Sequence, residues 1–313
     1  MTMLYLIEFL LFLLLVAALA LPFYRNQEVF EIADIDADDL PGKHVQLSHG
    51  LVHFHREGQR TAPVVVLIHG FSAFSYVWER NVNSLLKQGY QVISVDLYGR
   101  GYSARPNTAY TRQLFVEQIK ELLDDQQIDE PVYLAGLSMG GAISVRFAEL
   151  YPEKVAGLIL LAPLTTTPKI APLPIPIIGE YVAYSFVIPS LPKRQLDDLS
   201  NLEKALDWVA QFEPQMRYKG YRKAMLATVR GLMQEPMLDA YLAVAKTNIP
   251  SLVVWGDADK VLPYRQAQGV QKALGEHCQL VTVEGAGHAL QYEYSEQVNQ
   301  HIATFLASIN KLK

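Results

Sequence analysis

The sequence predicts an α/β fold, with a mostly parallel sheet of eight strands and helices on both of its faces. Short apolar runs alternate with longer stretches of mixed polarity, and this alternation is typical of parallel strands joined by helices. The chain has 313 residues, 50% of them hydrophobic, which is enough for one large domain and an insertion. The stretch between Pro163 and Pro250 has no clear strand signal, so we expect a helical cap insertion there.

The expected elements alternate on either side of this insertion. Strands are assigned to short apolar runs bounded by turn residues, and helices to the longer stretches between them. Strands are expected at Val45–Leu47, Gly50–His55, Val64–Ile68, Gln91–Val95, Val132–Ala135, Leu158–Leu161, Ser251–Trp255 and Leu280–Val283. Helices are expected at Ser75–Gln88, Thr111–Asp125, Met139–Leu150, Arg265–Leu274 and Ser295–Ile309. Runs that are apolar at every position indicate strands buried on both faces.

The segment Gly136-Leu137-Ser138-Met139-Gly140 is the most informative motif in the chain. A buried-strand run, Val132–Ala135, precedes it, and a helical stretch rich in small residues follows it. A sharp turn from strand to helix would expose the Ser138 hydroxyl, and glycines are needed because a Cβ would clash with neighbouring backbone. The N-terminus of the next helix would favour negative charge beside the serine. We therefore predict a nucleophile here, rather than an ordinary serine in a glycine-rich turn.

A nucleophilic serine needs a base and an acid that orients the base, and the last third of the chain supplies both. His288 lies in a glycine-containing loop directly after the expected strand Leu280–Val283. Asp257 and Asp259 follow the expected strand Ser251–Trp255. The chain order is therefore serine, aspartate, histidine. The residues alone leave open which aspartate orients the histidine.

Four motifs together resemble the α/β-hydrolase-fold serine hydrolases, and the resemblance extends from about Val45 to the C-terminus. The motifs are His69-Gly70-Phe71, the D-x-x-G-x-G-x-S run Asp96–Ser103, the Ser138 turn, and the pair Asp259 with His288. In this family the acid commonly lies three residues after a glycine, in a G-x-x-D-x-x-x-P setting. Counting from Gly256 and back from Pro263 then selects Asp259 over Asp257.

The resemblance also assigns the remaining groups of a catalytic site. It implies that the backbone N–H groups of Phe71 and Met139 form the oxyanion hole, which would stabilise a tetrahedral intermediate. His69 is expected to hold its loop rather than to act as a base. The glycines of Asp96–Ser103 are expected to shape a tight turn, because no P-loop lysine follows them.

The implied function is hydrolysis of carboxylic esters through an acyl-enzyme, with Ser138, Asp259 and His288 as the catalytic triad. The overall pattern is similar to monoacylglycerol-lipase-like members, which favours acyl or lipid-like esters. The apolar, proline-rich stretch Ile170–Pro192 either packs the cap onto the core or lines an acyl pocket facing a bilayer. Carbon–carbon bond hydrolases and serine peptidases of the same fold remain alternatives. So does a different class, a non-catalytic ligand receptor built on this fold.

Composition narrows the range of partners. A net charge of -5 argues against a nucleic-acid partner, and a small-molecule ester, with lipids among the candidates, is expected instead. No cofactor and no metal are expected, because no cluster of His, Cys and carboxylate residues has metal-ligand spacing. We interpret His53 and His55 as a solvent-facing pair on a strand. The single cysteine, Cys278, excludes an internal disulfide.

The N-terminus predicts a segment separate from the enzyme. Residues 1–24 are expected to form a membrane anchor. When Glu8 is included, the apolar run is long enough to span a bilayer, which takes about 20 residues. Protein exported after cleavage of a signal peptide at Ala18-Leu19-Ala20 is the alternative localisation, although no Lys or Arg precedes the run. A helix buried in the core is a third interpretation. Residues 25–41 are expected to be a solvated acidic linker, 42–163 and 250–313 the core, and 164–249 the cap.

Overall fold

The computed structural model describes residues 2–35, 40–204 and 207–310. Residues 36–39 of the expected acidic linker therefore lie outside the described residues. The same holds for Met1, for residues 205–206 of the expected cap, and for the last three residues of the chain.

A single sheet forms the centre of the described chain, in the strand order β1-β2-β4-β3-β5-β6-β7-β8. β2 is antiparallel to its neighbours β1 and β4, and every other neighbouring pair is parallel. The strands are β1 Lys43–Leu47, β2 Gly50–Glu57, β3 Val64–Ile68, β4 Gln91–Val95, β5 Val132–Leu137, β6 Val155–Leu161, β7 Ser251–Gly256 and β8 Cys278–Val283. The predicted fold class, a mostly parallel eight-stranded sheet, is confirmed.

Helices cover the sheet, and the segment between β6 and β7, which we call the cap, is helical. They are α1 Thr2–Tyr24, α2 Glu79–Lys87, α3 Arg112–Asp125, α4 Met139–Leu150, α5 Ile178–Val182, α6 Leu191–Arg194, α7 Trp208–Phe212, α8 Tyr221–Arg230, α9 Leu238–Val244, α10 Ala267–Leu274, α11 Leu290–Glu293 and α12 Ser295–Asn310. α2 packs with α11 and α12, whereas α4 packs with α3 and α9. Every residue of β3, β4 and β5 is buried, as expected for parallel strands between two layers of helices.

Two expected helices begin with a 3₁₀ turn; the expected helix Arg265–Leu274 begins within the turn Tyr264–Gln266, which α10 follows. The expected helix Ser75–Gln88 is a 3₁₀ turn over Ser75–Trp78 followed by α2. The backbone N–H of Ser75 donates to Asp96 Oδ1 at 2.9 Å, and Val77 and Trp78 are fully buried. These tertiary contacts tighten the first turn, and sequence periodicity does not report them.

The N-terminal helix lies apart from the core, but the chain after it contacts the cap. Within the described residues, Met3–Tyr24 is long and apolar enough to cross a membrane, and its side chains are exposed. The N–H groups of Val29 and Phe30 donate to the Arg217 carbonyl at 2.7 and 3.0 Å, and Lys219 donates to the Phe30 carbonyl at 2.8 Å. This part of the expected linker is therefore attached to the cap and does not extend freely into solvent.

Candidate active site

Ser138 occupies a strained turn between β5 and α4. Its φ of 53° and ψ of -113° are unfavourable for a residue with a side chain. A Cβ at Gly140 would lie 2.2 Å from the Ile68 carbonyl oxygen, and one at Gly136 would lie 2.4 Å from the Gly140 carbonyl. Only glycine fits at these positions, so the motif is required by the close approach of β3, β5 and α4.

His288 and Asp259 are brought together from two loops that follow neighbouring strands. His288 Nδ1 lies 2.8 Å from Asp259 Oδ2, and both side chains are buried. Asp259 Oδ1 accepts from the N–H groups of Val261 and Leu262, each at 2.8 Å, so the carboxylate is fixed on both oxygens. Burial opposes protonation of His288, but the hydrogen bond and charge of Asp259 outweigh burial and raise the pKa of His288 above its ordinary value.

Asp257, the competing candidate acid, has a different partner. Its Oδ1 accepts from the Gly285 N–H at 2.7 Å, which fixes the start of the loop that carries His288. Among the hydrogen bonds of the described residues, Asp257 makes none to the imidazole ring of His288. The geometry therefore favours Asp259 as the acid that orients His288.

The two predicted oxyanion donors come from different elements: Phe71 from the loop after β3, and Met139 from the start of α4, directly after Ser138. A Cβ at Gly70 would lie 3.5 Å from the Ser138 Cβ, and both Phe71 and Met139 line the same cavity as Ser138. His69 Nε2 accepts from the Leu97 N–H at 2.9 Å, so its Nδ1–H donates to the Gly70 carbonyl at 2.7 Å. Burial lowers the pKa of His69 to about 4, so this ring stays neutral and holds the loop.

Asp96 organises the glycine-containing loop that follows β4. It accepts from the N–H groups of Ser75 at 2.9 Å and Tyr102 at 3.0 Å, and its Oδ2 lies 2.8 Å from His53 Nδ1. A Cβ at Gly101 would lie only 2.1 Å from Asp96 Oδ2, which accounts for the glycine. The interpretation of His53 and His55 as a solvent-facing pair is wrong for His53, whose ring is buried and pairs with this carboxylate, and His55 is half-buried.

A cavity of about 630 Å³ lies between the core and the cap and contains Ser138 and His288. Most of its lining is apolar and comes from the cap, including Ile170, Leu173, Met225, Leu226, Val229 and Met233. Its charged lining residues are Arg194, Asp197, Asp198 and Lys260.

Two acidic residues near His288 carry no signal in the sequence. Asp198 lines the cavity, and its backbone carbonyl accepts from the Ala289 N–H at 2.8 Å. Burial raises the pKa of Asp198 to about 7; the positive charge of His288 opposes this shift and the Asp259 carboxylate adds to it. Glu293 accepts from the N–H groups of Ser200 at 2.8 Å and Gly287 at 3.1 Å, which joins the cap to the His288 loop.

The family model for the alpha/beta hydrolases matches residues 65–301. The chain is a member of the alpha/beta hydrolase family. Similar proteins include the AB hydrolase superfamily protein YfhM of Bacillus subtilis, 29% identical over 82% of this chain and 94% of the relative. Carboxylesterase YbfK of Bacillus subtilis is 26% identical over 84% of this chain and 86% of its own length.

Solved structures share the same architecture. The thermophilic esterase from Thermogutta terrifontis superposes with a TM-score of 0.73 and 21% identity, over 86% of this chain and 99% of the esterase. At that identity the likeness shows the fold alone. The family and its curated relatives support a hydrolase. Within the described residues of this hydrolase, no group of three or more His, Cys, Asp and Glu side chains is arranged to hold a metal ion.

Proposed function

We propose that the protein hydrolyses carboxylic esters through an acyl-enzyme formed on Ser138. The observation that carries the proposal is the buried pair of His288 and Asp259, joined at 2.8 Å beside the cavity that also contains the strained Ser138. Similarity to a carboxylesterase of Bacillus subtilis also supports the proposed ester hydrolysis. No cofactor enters the proposed reaction.

In the first half-reaction the Ser138 Oγ attacks the ester carbonyl carbon while its proton passes to His288 Nε2. The backbone N–H groups of Phe71 and Met139 donate to the oxyanion, a contribution of about 3 kcal/mol for each donor in comparable enzymes. When the intermediate collapses, the carbon–oxygen bond to the alcohol breaks. The leaving oxygen takes the proton from His288, and the acyl group remains on Ser138.

The second half-reaction repeats these steps with water. His288 Nε2 accepts a proton from a water molecule that attacks the acyl-enzyme carbonyl, and the same proton returns to Ser138 as the acid is released. Asp259 accepts the hydrogen bond from Nδ1–H, and so leaves the Nε2 lone pair available for Ser138 and then for water. It also stabilises the imidazolium that forms in each half-reaction.

The preferred substrates in this proposal are esters with an apolar acyl group, including lipid-like esters. The mostly apolar lining that the cap provides supports this preference, because it favours an apolar acyl chain over a polar one. We also propose that α1 is a retained membrane anchor, supported by its length and its apolar, exposed surface. A cleaved signal sequence has the same properties and is the alternative.

The experiment compares two isosteric substitutions of neighbouring aspartates. We expect Asp259→Asn to lower the turnover of a short p-nitrophenyl ester by about 10⁴-fold, because the amide no longer holds the productive tautomer of His288. Asp257→Asn is the matched control, because an amide oxygen still accepts from the Gly285 N–H, and it should retain most activity. The reverse ranking would contradict the proposed triad. A wild-type protein without turnover would favour the ligand-receptor alternative.

A further inference from the structure

The cap segment from Ile170 to Leu191 has an apolar outer side as well as an apolar inner side. Its inner side chains, including Leu173, Ala183 and Val187, line the cavity. Outside the cavity lining, four large apolar side chains are exposed, and we call them the outer apolar face: Ile175 (48%), Ile177 (82%), Ile178 (53%) and Phe186 (53%). The cap segment therefore lies between the cavity and the outer apolar face.

Ile177 is an unfavourable choice for a turn that faces water. Its φ is 65°, in the left-handed region that β-branched residues avoid, and its side chain is almost fully exposed. The turn is nevertheless firmly held, because Arg230 donates to the carbonyls of Leu173 and Ile175, each at 3.1 Å, and pairs with Glu180. Neither backbone geometry nor folding in water explains an isoleucine at this position, which points to an apolar contact outside the protein.

The charges around the segment are arranged as at a lipid surface. Glu180 is the one charged residue between Ile170 and Leu191, and its partner Arg230 lowers the pKa of Glu180 to about 2. Exposed cations border the segment at both ends, namely Lys169 before it and Lys193 and Arg194 after it. An apolar stretch with flanking cations is typical of a segment in the interfacial layer of a bilayer.

The apolar helix α1 ends beside the turn that carries Phe186, one of the four residues of the outer apolar face. The Pro22 carbonyl accepts from Arg222 Nη1 at 2.8 Å, and the Arg222 guanidinium lies 4.8 Å from the centre of the Tyr184 ring. α1 also contacts the turn Ala183–Val187, which contains Phe186. A bilayer that accepts α1 would therefore also meet the outer apolar face.

We propose that the outer apolar face lies in the interfacial layer of the bilayer that holds α1, and that acyl esters enter the cavity from that bilayer through the cap segment. The substrate class is then an ester whose acyl chain resides in the membrane. The route of entry rests on the proposed ester hydrolysis. The contact between the outer apolar face and the bilayer does not depend on ester hydrolysis, but it rests on the proposed retention of α1 as an anchor.

A depth measurement on the full chain tests the membrane contact. An environment-sensitive dye is attached to Ile177→Cys, and the protein is reconstituted in phosphatidylcholine vesicles with and without brominated lipid; the native Cys278 is buried. Leu238→Cys is the matched control, because Leu238 is 55% exposed on α9, which packs on α4 and α10. We expect bromolipid quenching at position 177 and none at 238. A dye at 177 that remains in water would overturn the proposal.

An activity comparison tests the route of entry. In the full chain, Ile177→Glu with Phe186→Glu should lower hydrolysis of a long-chain ester embedded in vesicles by about 10-fold, while a soluble short-chain ester is hydrolysed as before. Leu238→Glu should change neither rate. Equal rates for the double variant and the wild type on the embedded ester would overturn the route. If the wild type hydrolyses neither ester, the proposed function fails, and the depth measurement still decides the membrane contact.

Discussion

At the scale of single residues, the electrostatics around His288 come from both the core and the cap. Asp259, on the core, binds the imidazole directly, whereas Asp198, on the cap, acts on it through its charge. The pKa of Asp198 is raised to about 7, so its charge changes near neutral pH. A residue of the cap therefore raises the basicity of His288.

Asp198→Asn should move the acid limb of the pH profile of kcat/KM to lower pH. His288 accepts a proton only when neutral, so activity falls as pH drops through the pKa of His288. The Asp198 carboxylate raises that pKa, and the amide does not. Asp197→Asn is the comparison variant: Asp197 is exposed and acts on Asp198 through charge, so this change should move the limb less than Asp198→Asn does. An acid limb that stays fixed, or that moves upward, in Asp198→Asn would contradict this role.

At the scale of elements, the loop after β4 depends on a buried pair. Burial opposes the charge on His53, but the hydrogen bond and charge of Asp96 outweigh burial and raise the pKa of His53. Burial likewise opposes the charge on Asp96, but the hydrogen bond and charge of His53 outweigh it and lower the pKa of Asp96. Protonation of His53 adds to the free energy of unfolding. This stabilisation is complete below the ordinary pKa of 6.5 and is lost as the pH rises through the raised pKa of His53. Ionisation of Asp96 also stabilises the fold. This stabilisation is present above the ordinary pKa of 3.8 and is lost as the pH falls through the lowered pKa of Asp96.

His53→Asn should therefore destabilise the protein most in the window between these limits. Near pH 5.5 we expect a loss of about 3 kcal/mol in the free energy of unfolding, because Asp96 keeps its charge and loses its charged partner. Near pH 9 the loss should be smaller, since the wild-type histidine is then neutral. Urea unfolding of both proteins at the two pH values checks this. Equal losses would show that the pair is not ionised in the folded protein.

The elements that the sequence predicts well are those whose signals are local. β3, β5 and the Ser138 turn combine apolar runs with glycines that the neighbouring backbone requires, so few residues suffice to identify them. Asp198 and Glu293 had no such signal, because their contacts join segments about 90 residues apart in the chain. The burial of His53 was missed for the same reason. Its partner Asp96 follows a different strand, and alternation along β2 does not indicate a buried ion pair.

At the scale of the whole molecule, the relation between the anchor, the linker and the cap was not predictable from the sequence. The sequence indicates an apolar helix and an acidic stretch, but their contacts are with residues near 217–222 of the cap. Glu28 accepts from the Arg222 backbone N–H at 2.7 Å, and Glu31 pairs with Lys219. These two acidic residues of the described linker therefore attach it to the cap.

The full-length protein should fractionate with membranes and resist a high-salt wash. Apolar side chains along Met3–Tyr24 favour the bilayer over water, and salt does not weaken that preference. Deleting Met1 to Phe23 should release a protein that still hydrolyses a soluble ester, since every proposed catalytic group follows β2. Edman or mass-spectrometric mapping of the mature N-terminus is the check. A soluble protein that begins near Leu21 would identify a signal peptide and contradict the anchor.

The central claim is that Ser138 is the nucleophile of a serine hydrolase, and covalent labelling tests it most directly. A fluorophosphonate probe reacts with an activated serine, so incubation with the full-length protein followed by peptide mass spectrometry locates that residue. We expect a single adduct on Ser138, formed in parallel with loss of ester hydrolysis, and no adduct in Ser138→Ala. Labelling that persists in Ser138→Ala, or an unlabelled Ser138 in protein that turns over esters, would contradict the account.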